Sequence, residues 1–118
     1  MPHSATQVSP RVWSVLLGAA AAYNLLIGVP GVMTGATASD RIVSLLVACF
    51  GLIYAIAASD PRRFAPMLWA GIAGKLGIIA LLWPSLSDGS APAGTIPVLA
   101  GDALFTLGFL ALLWNLRR

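Results

Sequence analysis

The chain has 118 residues, of which 58% are hydrophobic and only 9% are charged. Because water-soluble domains carry about 25% charged residues, this composition excludes an ordinary soluble domain and indicates an all-α membrane protein. One integral membrane domain, residues 1–118, accounts for the whole length. The net charge is +3, but most basic residues lie at segment ends or in loops. That distribution is typical of membrane orientation rather than of nucleic-acid binding, so no nucleic-acid partner is expected.

The first apolar segment covers residues 12–33, a length of 22 residues, which is enough to cross the roughly 30 Å hydrocarbon core as a helix. Arg11 and Trp13 flank its start as a charged residue and an interfacial aromatic residue. Pro30 is expected to kink or end this helix. A cleaved signal peptide is the alternative, since residues 36–38 (Ala-Thr-Ala) resemble a cleavage site. Signal peptides have apolar regions of only about 7–15 residues, so we predict a retained span.

Three further apolar segments of spanning length follow, over residues 42–58, 64–83 and 96–116. Ser39 or Asp40 is expected to cap the second helix. Asp60 is placed to cap the third, with Pro61 at its first helical position. The stretch 84–95 is rich in proline, glycine and serine and is predicted to be a loop.

The basic residues predict the orientation of the four spans. Five of them fall on one side and a single one, Arg41, falls on the other; the five are Arg11, Arg62, Arg63, Arg117 and Arg118. Because basic residues concentrate on the cytoplasmic side, both termini are predicted to be cytoplasmic. The prediction is a four-transmembrane-helix bundle, N-in and C-in, in the inner (plasma) membrane of a bacterial-type cell.

Two charged residues lie inside predicted spans. Lys75 is in the third span and Asp102 is in the fourth. A charged side chain at the bilayer centre costs about 2.5–3.5 kcal/mol on insertion scales, so it needs a partner or a function. With a rise of about 1.5 Å per residue, the two positions fall within about one helical turn of the same depth. Since consecutive antiparallel helices pack side by side, we predict that Lys75 and Asp102 form an ion pair.

Asn24 and Thr106 extend this polar region. Asn24 in the first span lies at a similar depth and is expected to make an interhelical hydrogen bond, so that it shares one polar layer with Lys75 and Asp102. Thr106 follows Asp102 by one helical turn, on the same face. Two interpretations stay open. The layer either holds the helices together, or it binds an ion, a proton or the polar end of an amphipathic ligand.

Small residues on two helices predict close packing. Gly18 and the alanine block at residues 19–22, which includes Ala22, form a small-residue surface on the first helix. Gly71, Gly74 and Gly77 surround Lys75 in the third and are expected to let neighbouring backbones close around it. The signal has low specificity, because such spacings are common in membrane helices.

The motifs of familiar enzymes are missing from the sequence, which contains no GxSxG, HExxH or P-loop pattern. His3, the only histidine, lies in a polar tail with no second ligand nearby. Cys49 is the only cysteine and is expected to be a buried apolar side chain. We therefore predict no catalytic residues, no metal site and no cofactor.

A short series of motifs runs through the spans. In order these are Tyr23-Asn24, Gly51-x-x-Tyr54, Asp60-Pro61-Arg62, Gly74-Lys75-Leu76 and Gly101-Asp102. The series resembles a group of small bacterial four-span membrane proteins without an assigned activity, and in general layout the chain is similar to DoxX-like proteins. The embedded glutamate expected in small multidrug exporters is missing from the first span. The resemblance implies the four-span fold and no mechanism.

The leading functional prediction is a small accessory or interaction subunit that associates with another membrane protein or with itself. Its surroundings would then be the lipid bilayer and the partner. The alternative is a small carrier or channel for an ion, a proton or an amphipathic ligand, which would use Lys75 and Asp102.

Overall fold

The computed structural model describes residues 10–117, and every regular element in that range is helical. In chain order these are α1 (Pro10–Thr34), α2 (Ala38–Ser59), α3 (Pro61–Phe64), a 3-10 turn (Ala65–Met67), α4 (Leu68–Ser87) and α5 (Thr95–Arg117). Within residues 10–117, four helical segments are long and apolar enough to cross a membrane, as predicted; the third runs continuously from α3 through α4. His3 and Arg118 lie outside the described residues.

The described chain forms two compact units, the first ending at Met67 and the second beginning at Leu68. In the first unit, α1 and α2 pack against each other as an antiparallel hairpin, and α3 contacts both helices. In the second unit, α4 and α5 form another antiparallel hairpin. The contacts between α1 and α2 differ from those between α4 and α5.

Glycines allow α1 and α2 to approach closely. A Cβ atom at Gly28 would lie 2.6 Å from the backbone nitrogen of Ala48 and 2.7 Å from the carbonyl oxygen of Ser44. On the opposite helix, a Cβ atom at Gly51 would lie 2.9 Å from Cγ of Leu25. Real Cβ atoms do not approach backbone atoms this closely, so only glycine fits at the first of these positions.

The small-residue surface that was predicted on α1 packs only in part: Ala20 and Ala21 are buried, and a Cβ atom at Gly51 of α2 would lie 3.2 Å from the carbonyl oxygen of Ala21. A Cβ atom at Gly18 would meet no atom within 4 Å, and Ala22 is exposed. The closest backbone contact with α2 uses Gly28, two residues before Pro30. Both stretches contain small residues, and the choice between them depends on which side of α1 faces α2.

Arg41, the single basic residue on its predicted side of the spans, makes a local contact at the turn between α1 and α2. Nε of Arg41 donates a hydrogen bond of 2.6 Å to the carbonyl oxygen of Val32, in the last turn of α1. A cation is favourable there because the last carbonyls of a helix carry partial negative charge. The cap of α2 differs from the prediction: Thr37, rather than Ser39 or Asp40, accepts the backbone N–H of Asp40, since α2 begins earlier, at Ala38.

The predicted start of the third helical segment is confirmed. Asp60 accepts a hydrogen bond from the backbone N–H of Arg63 at 3.3 Å, and Pro61 occupies the first turn of α3. The carboxylate therefore satisfies one of the free N–H groups at the start of the helix. Asp60 is also the C-cap of α2, so this single residue lies between the end of α2 and the start of α3.

Two helices continue through prolines that were predicted to lie at their ends. Pro30 was expected to kink or end α1, and Pro84 was expected to begin the loop after α4. α1 runs through Pro30 to Thr34, whose hydroxyl donates to the Pro30 carbonyl oxygen at 3.0 Å. α4 runs through Pro84 to Ser87, so the predicted loop begins later than residue 84. A proline removes one backbone hydrogen bond, which an otherwise intact apolar helix tolerates near its end.

The actual end of α4 is set by a glycine. Gly89 has a φ of 79°, in the left-handed region, and the N–H of Ser90 donates to the carbonyl oxygen of Ser85 at 2.9 Å. This pattern satisfies the last carbonyls of a helix. The Ser90 hydroxyl also donates to Asp88, a hydrogen bond that lowers the pKa of this exposed carboxyl group.

The described surface is rich in large apolar side chains. Met33 is 76% exposed, Leu81 is 81% exposed and Leu104 is 68% exposed. Cys49 is exposed as well, which corrects the prediction that it is buried. The buried positions of α2 lie at Ala48, Gly51, Tyr54 and Ala57, and this spacing of three places residue 49 outside the packed face.

Candidate functional site

The buried polar residues in the described range include all four predicted site residues. Their exposed fractions are 6% for Asn24, 5% for Lys75, 7% for Asp102 and 4% for Thr106. Asn115, at 8%, is buried too. These helices therefore combine an apolar exposed surface with polar side chains inside, the reverse of the arrangement in a water-soluble helix.

The ion pair between α4 and α5 is confirmed. Nζ of Lys75 lies 2.7 Å from Oδ1 of Asp102, a charge-assisted hydrogen bond between two buried side chains. The two residues come from the facing sides of the antiparallel helices. Because each charge is removed from solvent, each depends on the other for compensation.

An aromatic ring covers the ammonium group on one side. The ring centroid of Phe105 lies 5.8 Å from Nζ of Lys75, which is within the range of a cation–π interaction. Phe109 follows one turn later, with its ring centroid 6.3 Å from that of Phe105. The neighbourhood of the ammonium group thus includes one carboxylate and an aromatic face.

Thr106 lies beside the ion pair but uses its hydroxyl locally. The hydroxyl donates a hydrogen bond of 2.8 Å to the backbone carbonyl oxygen of Asp102, one turn earlier in α5. Serine and threonine commonly bond in this way within helices. The bond joins Thr106 to the backbone that carries Asp102.

Asn24 belongs to the first unit. Its Nδ2 donates a hydrogen bond of 3.1 Å to the carbonyl oxygen of Val47 in α2. The predicted interhelical hydrogen bond is therefore present, and it links α1 to α2. That Asn24 shares one polar layer with Lys75 and Asp102 stays a prediction.

The expected role of the glycines around Lys75 is corrected for two of them. A Cβ atom at Gly74 or at Gly77 would meet no atom within 4 Å, so neither position marks a close backbone contact. Gly71 is buried. Asn115, near the end of α5, is buried as well, and Phe109 and Leu112 are buried at helical spacing just before it.

The arrangement is suited to holding helices together. Among the described residues, no buried side-chain nitrogen or oxygen lacks a hydrogen-bond partner. The same residues contain no cluster of three histidine, cysteine or acidic side chains that could hold a metal ion. In the second unit, the cation and the anion neutralise each other directly, which allows apolar helices to contain both charges.

Open concavities also occur on the second unit. One lies between the start of α4 and the end of α5 and is lined by Trp69, Leu110, Ala111, Leu113 and Trp114. Its lining includes neither residue of the ion pair.

Comparison of the chain with protein-family models, curated proteins and solved structures gave no match.

Proposed function

We propose that this protein is a small multi-pass protein of the inner (plasma) membrane, with four spans and both termini in the cytoplasm. The exposed apolar side chains of all four long helices support membrane insertion, because in water they would form an extensive apolar surface. In lipid the same side chains face hydrocarbon, and the polar side chains inside the hairpins find partners.

The contact of Arg41 supports the proposed orientation. Five of the six arginines fall on one predicted side of the spans, and Arg41 is the exception. Its guanidinium group is bonded to the end of α1, so a local structural role accounts for its position. The remaining basic residues then all favour the same cytoplasmic side.

A topology reporter would test this orientation. A phosphatase that is active only outside the cytoplasm, inserted between Gly89 and Gly94, should be active, and the same reporter after Arg63 should be inactive. A reporter that folds only in the cytoplasm, placed at the same two sites, should give the opposite result. Activity of the cytoplasmic reporter at the first site would contradict the proposed orientation.

We propose further that the protein is an accessory or interaction subunit that associates with a transmembrane helix of another protein or of a second copy. The observation that carries this is the open small-residue face of α4. Ala70 and Ala73 are exposed, and Cβ atoms at Gly74 and Gly77 would meet nothing. Small residues at this spacing allow another helix to approach closely in lipid.

Matched substitutions would test the association. Ala73→Leu places a large side chain on the open face of α4, and Ala100→Leu makes the same change at an exposed position of α5. Native mass spectrometry of the membrane-extracted protein should show a complex that Ala73→Leu weakens at least about tenfold, equivalent to about 1.4 kcal/mol. Ala100→Leu should leave it intact. A wild-type protein extracted only as a monomer, or equal losses in both variants, would contradict the proposal.

The alternative function, a carrier or channel for an ion, a proton or an amphipathic ligand, is supported by the burial of Lys75 and Asp102. Intramembrane charges often lie on transport pathways. Direct pairing of the two charges favours the structural role over this alternative. The resemblance to DoxX-like proteins stays a prediction and favours neither function.

A further inference from the structure

The first unit carries most of its basic side chains at one end. Three exposed arginines lie in the segments that meet where α1 begins and α2 ends: Arg11 in the first turn of α1, and Arg62 and Arg63 in α3. The short helix α3 contacts both α1 and α2. The fourth arginine of the unit, Arg41, lies at the opposite end, where the α1–α2 turn is.

The register of the α1–α2 hairpin places the three arginines at one level. Nδ2 of Asn24 in α1 bonds to the carbonyl oxygen of Val47 in α2. Because the two antiparallel helices have the same rise per residue, the 13 positions back from Asn24 to Arg11 match the 13 positions forward from Val47 to Asp60. Arg11 is therefore level with the start of α3, which carries the other two arginines.

The charge at this end of the unit is positive. The acidic residues of the first unit are Asp40, in the first turn of α2 at the opposite end, and Asp60, whose carboxylate caps α3. Three positive charges and the one negative charge of Asp60 leave an excess of two. Among the described residues, neither Arg62 nor Arg63 forms an ion pair. This end of the unit is thus suited to binding an anion.

The same arginines lie at the ends of apolar segments. Arg11 is the first residue of the first candidate span, and Arg62 is the second residue of the third. Long basic side chains at such positions extend to the level of the lipid headgroups. The guanidinium carbon of Arg63 lies 5.1 Å from the ring centroid of Phe64. A guanidinium group that stacks on a ring keeps its in-plane N–H groups for an anion.

We propose that Arg11, Arg62 and Arg63 bind the phosphate group of an anionic phospholipid in the cytoplasmic leaflet. Guanidinium groups bind phosphate oxygens through paired N–H donors, and the excess positive charge selects a headgroup with a net negative charge over a zwitterionic one. This inference rests on the proposed membrane placement and orientation. It adds a lipid site in the first unit, distinct from the ion pair and from the open face of α4.

Lipid titration of the detergent-solubilised protein, followed by native mass spectrometry, tests the site. Phosphatidylglycerol and phosphatidylcholine both contain a phosphate group and differ in headgroup charge. With about fivefold for each basic charge near an anionic lipid, the excess of two charges should give the wild type a preference of about 25-fold for phosphatidylglycerol. Arg62→Gln should lower the preference to about fivefold, and Arg62→Gln/Arg63→Gln should lower it to about one.

Arg41→Gln is the matched control. It removes the same charge from an exposed position at the opposite end of the same unit, so the preference should stay at about 25-fold. Circular dichroism should show equal helix content in all variants. Excess inorganic phosphate should not displace the bound phosphatidylglycerol, because the lipid is held in the detergent micelle by its acyl chains as well.

The contrary outcomes separate the lipid site from the membrane placement. Equal wild-type affinity for the two lipids, or equal losses in Arg41→Gln and Arg62→Gln, would overturn the lipid site. Displacement by inorganic phosphate would identify a soluble phosphate as the ligand and would overturn it too. The membrane placement has its own readout: the wild-type protein should resist extraction from membranes by alkaline carbonate, and extraction would contradict the placement itself.

Discussion

Lys75→Met should destabilise the protein by about 3–5 kcal/mol, because it leaves the buried carboxylate of Asp102 without its counterion. The same loss is expected for Asp102→Leu, which leaves the ammonium group unpaired. Methionine has nearly the length of lysine, so the first substitution changes charge more than packing. The free energy of unfolding can be measured by titrating the detergent-solubilised protein with a denaturing detergent and following its far-ultraviolet circular dichroism.

The double variant Lys75→Met/Asp102→Leu should recover most of that stability, since replacing a whole buried ion pair with apolar side chains is often neutral or stabilising. A double variant that also restores growth or partner binding would support a structural pair. If the double variant is folded but has lost a transport signal that the wild type shows, the carrier alternative is favoured. A double variant less stable than either single variant would contradict the structural role.

Gly28→Ala should destabilise the α1–α2 hairpin by about 1–3 kcal/mol, the usual cost of overpacking. Its new methyl group would lie 2.6 Å from the backbone nitrogen of Ala48 and 2.9 Å from its Cα atom. Backbone atoms cannot rotate away as a side chain can, so the two helices have to separate. The midpoint of the same detergent titration measures the loss.

Gly18→Ala is the matched control on the same helix. It makes the same chemical change at a position where a Cβ atom meets nothing within 4 Å. Since alanine is about 0.8–1.0 kcal/mol more favourable than glycine in a helix, this variant should be unchanged or slightly stabilised. Equal destabilisation by both substitutions would show that the Gly28 contact does not determine the stability of the hairpin.

The ion pair could be predicted because charge and depth are both readable from a sequence. Lys75 and Asp102 are rare charges in apolar segments, and a fixed rise per residue places them at one level. The packed glycines could not be read in the same way. Gly18 and Gly28 both lie on a helix that is apolar on most of its circumference, and in lipid an apolar residue is equally compatible with either face.

The helix ends likewise include one that could be predicted from the sequence and one that could not. The Asp60-Pro61 start was predictable because its chemistry is local: a side-chain acceptor and a residue without an N–H. The end of α4 differs from the prediction because Pro84 favours the start of a loop, whereas the left-handed conformation of Gly89 ends the helix. Proline disfavours a helix by removing one hydrogen bond, but a glycine in the left-handed region stops its backbone from continuing.

The separation of the paired charges along the chain sets an order of events during synthesis. Asp102 follows Lys75 by 27 residues, so at roughly 5–20 residues per second it is made about 1–5 s later. During that interval α4 carries an ammonium group whose carboxylate does not yet exist. We expect the insertion machinery to retain α4 until α5 arrives, so that the two helices enter lipid together as a neutral pair.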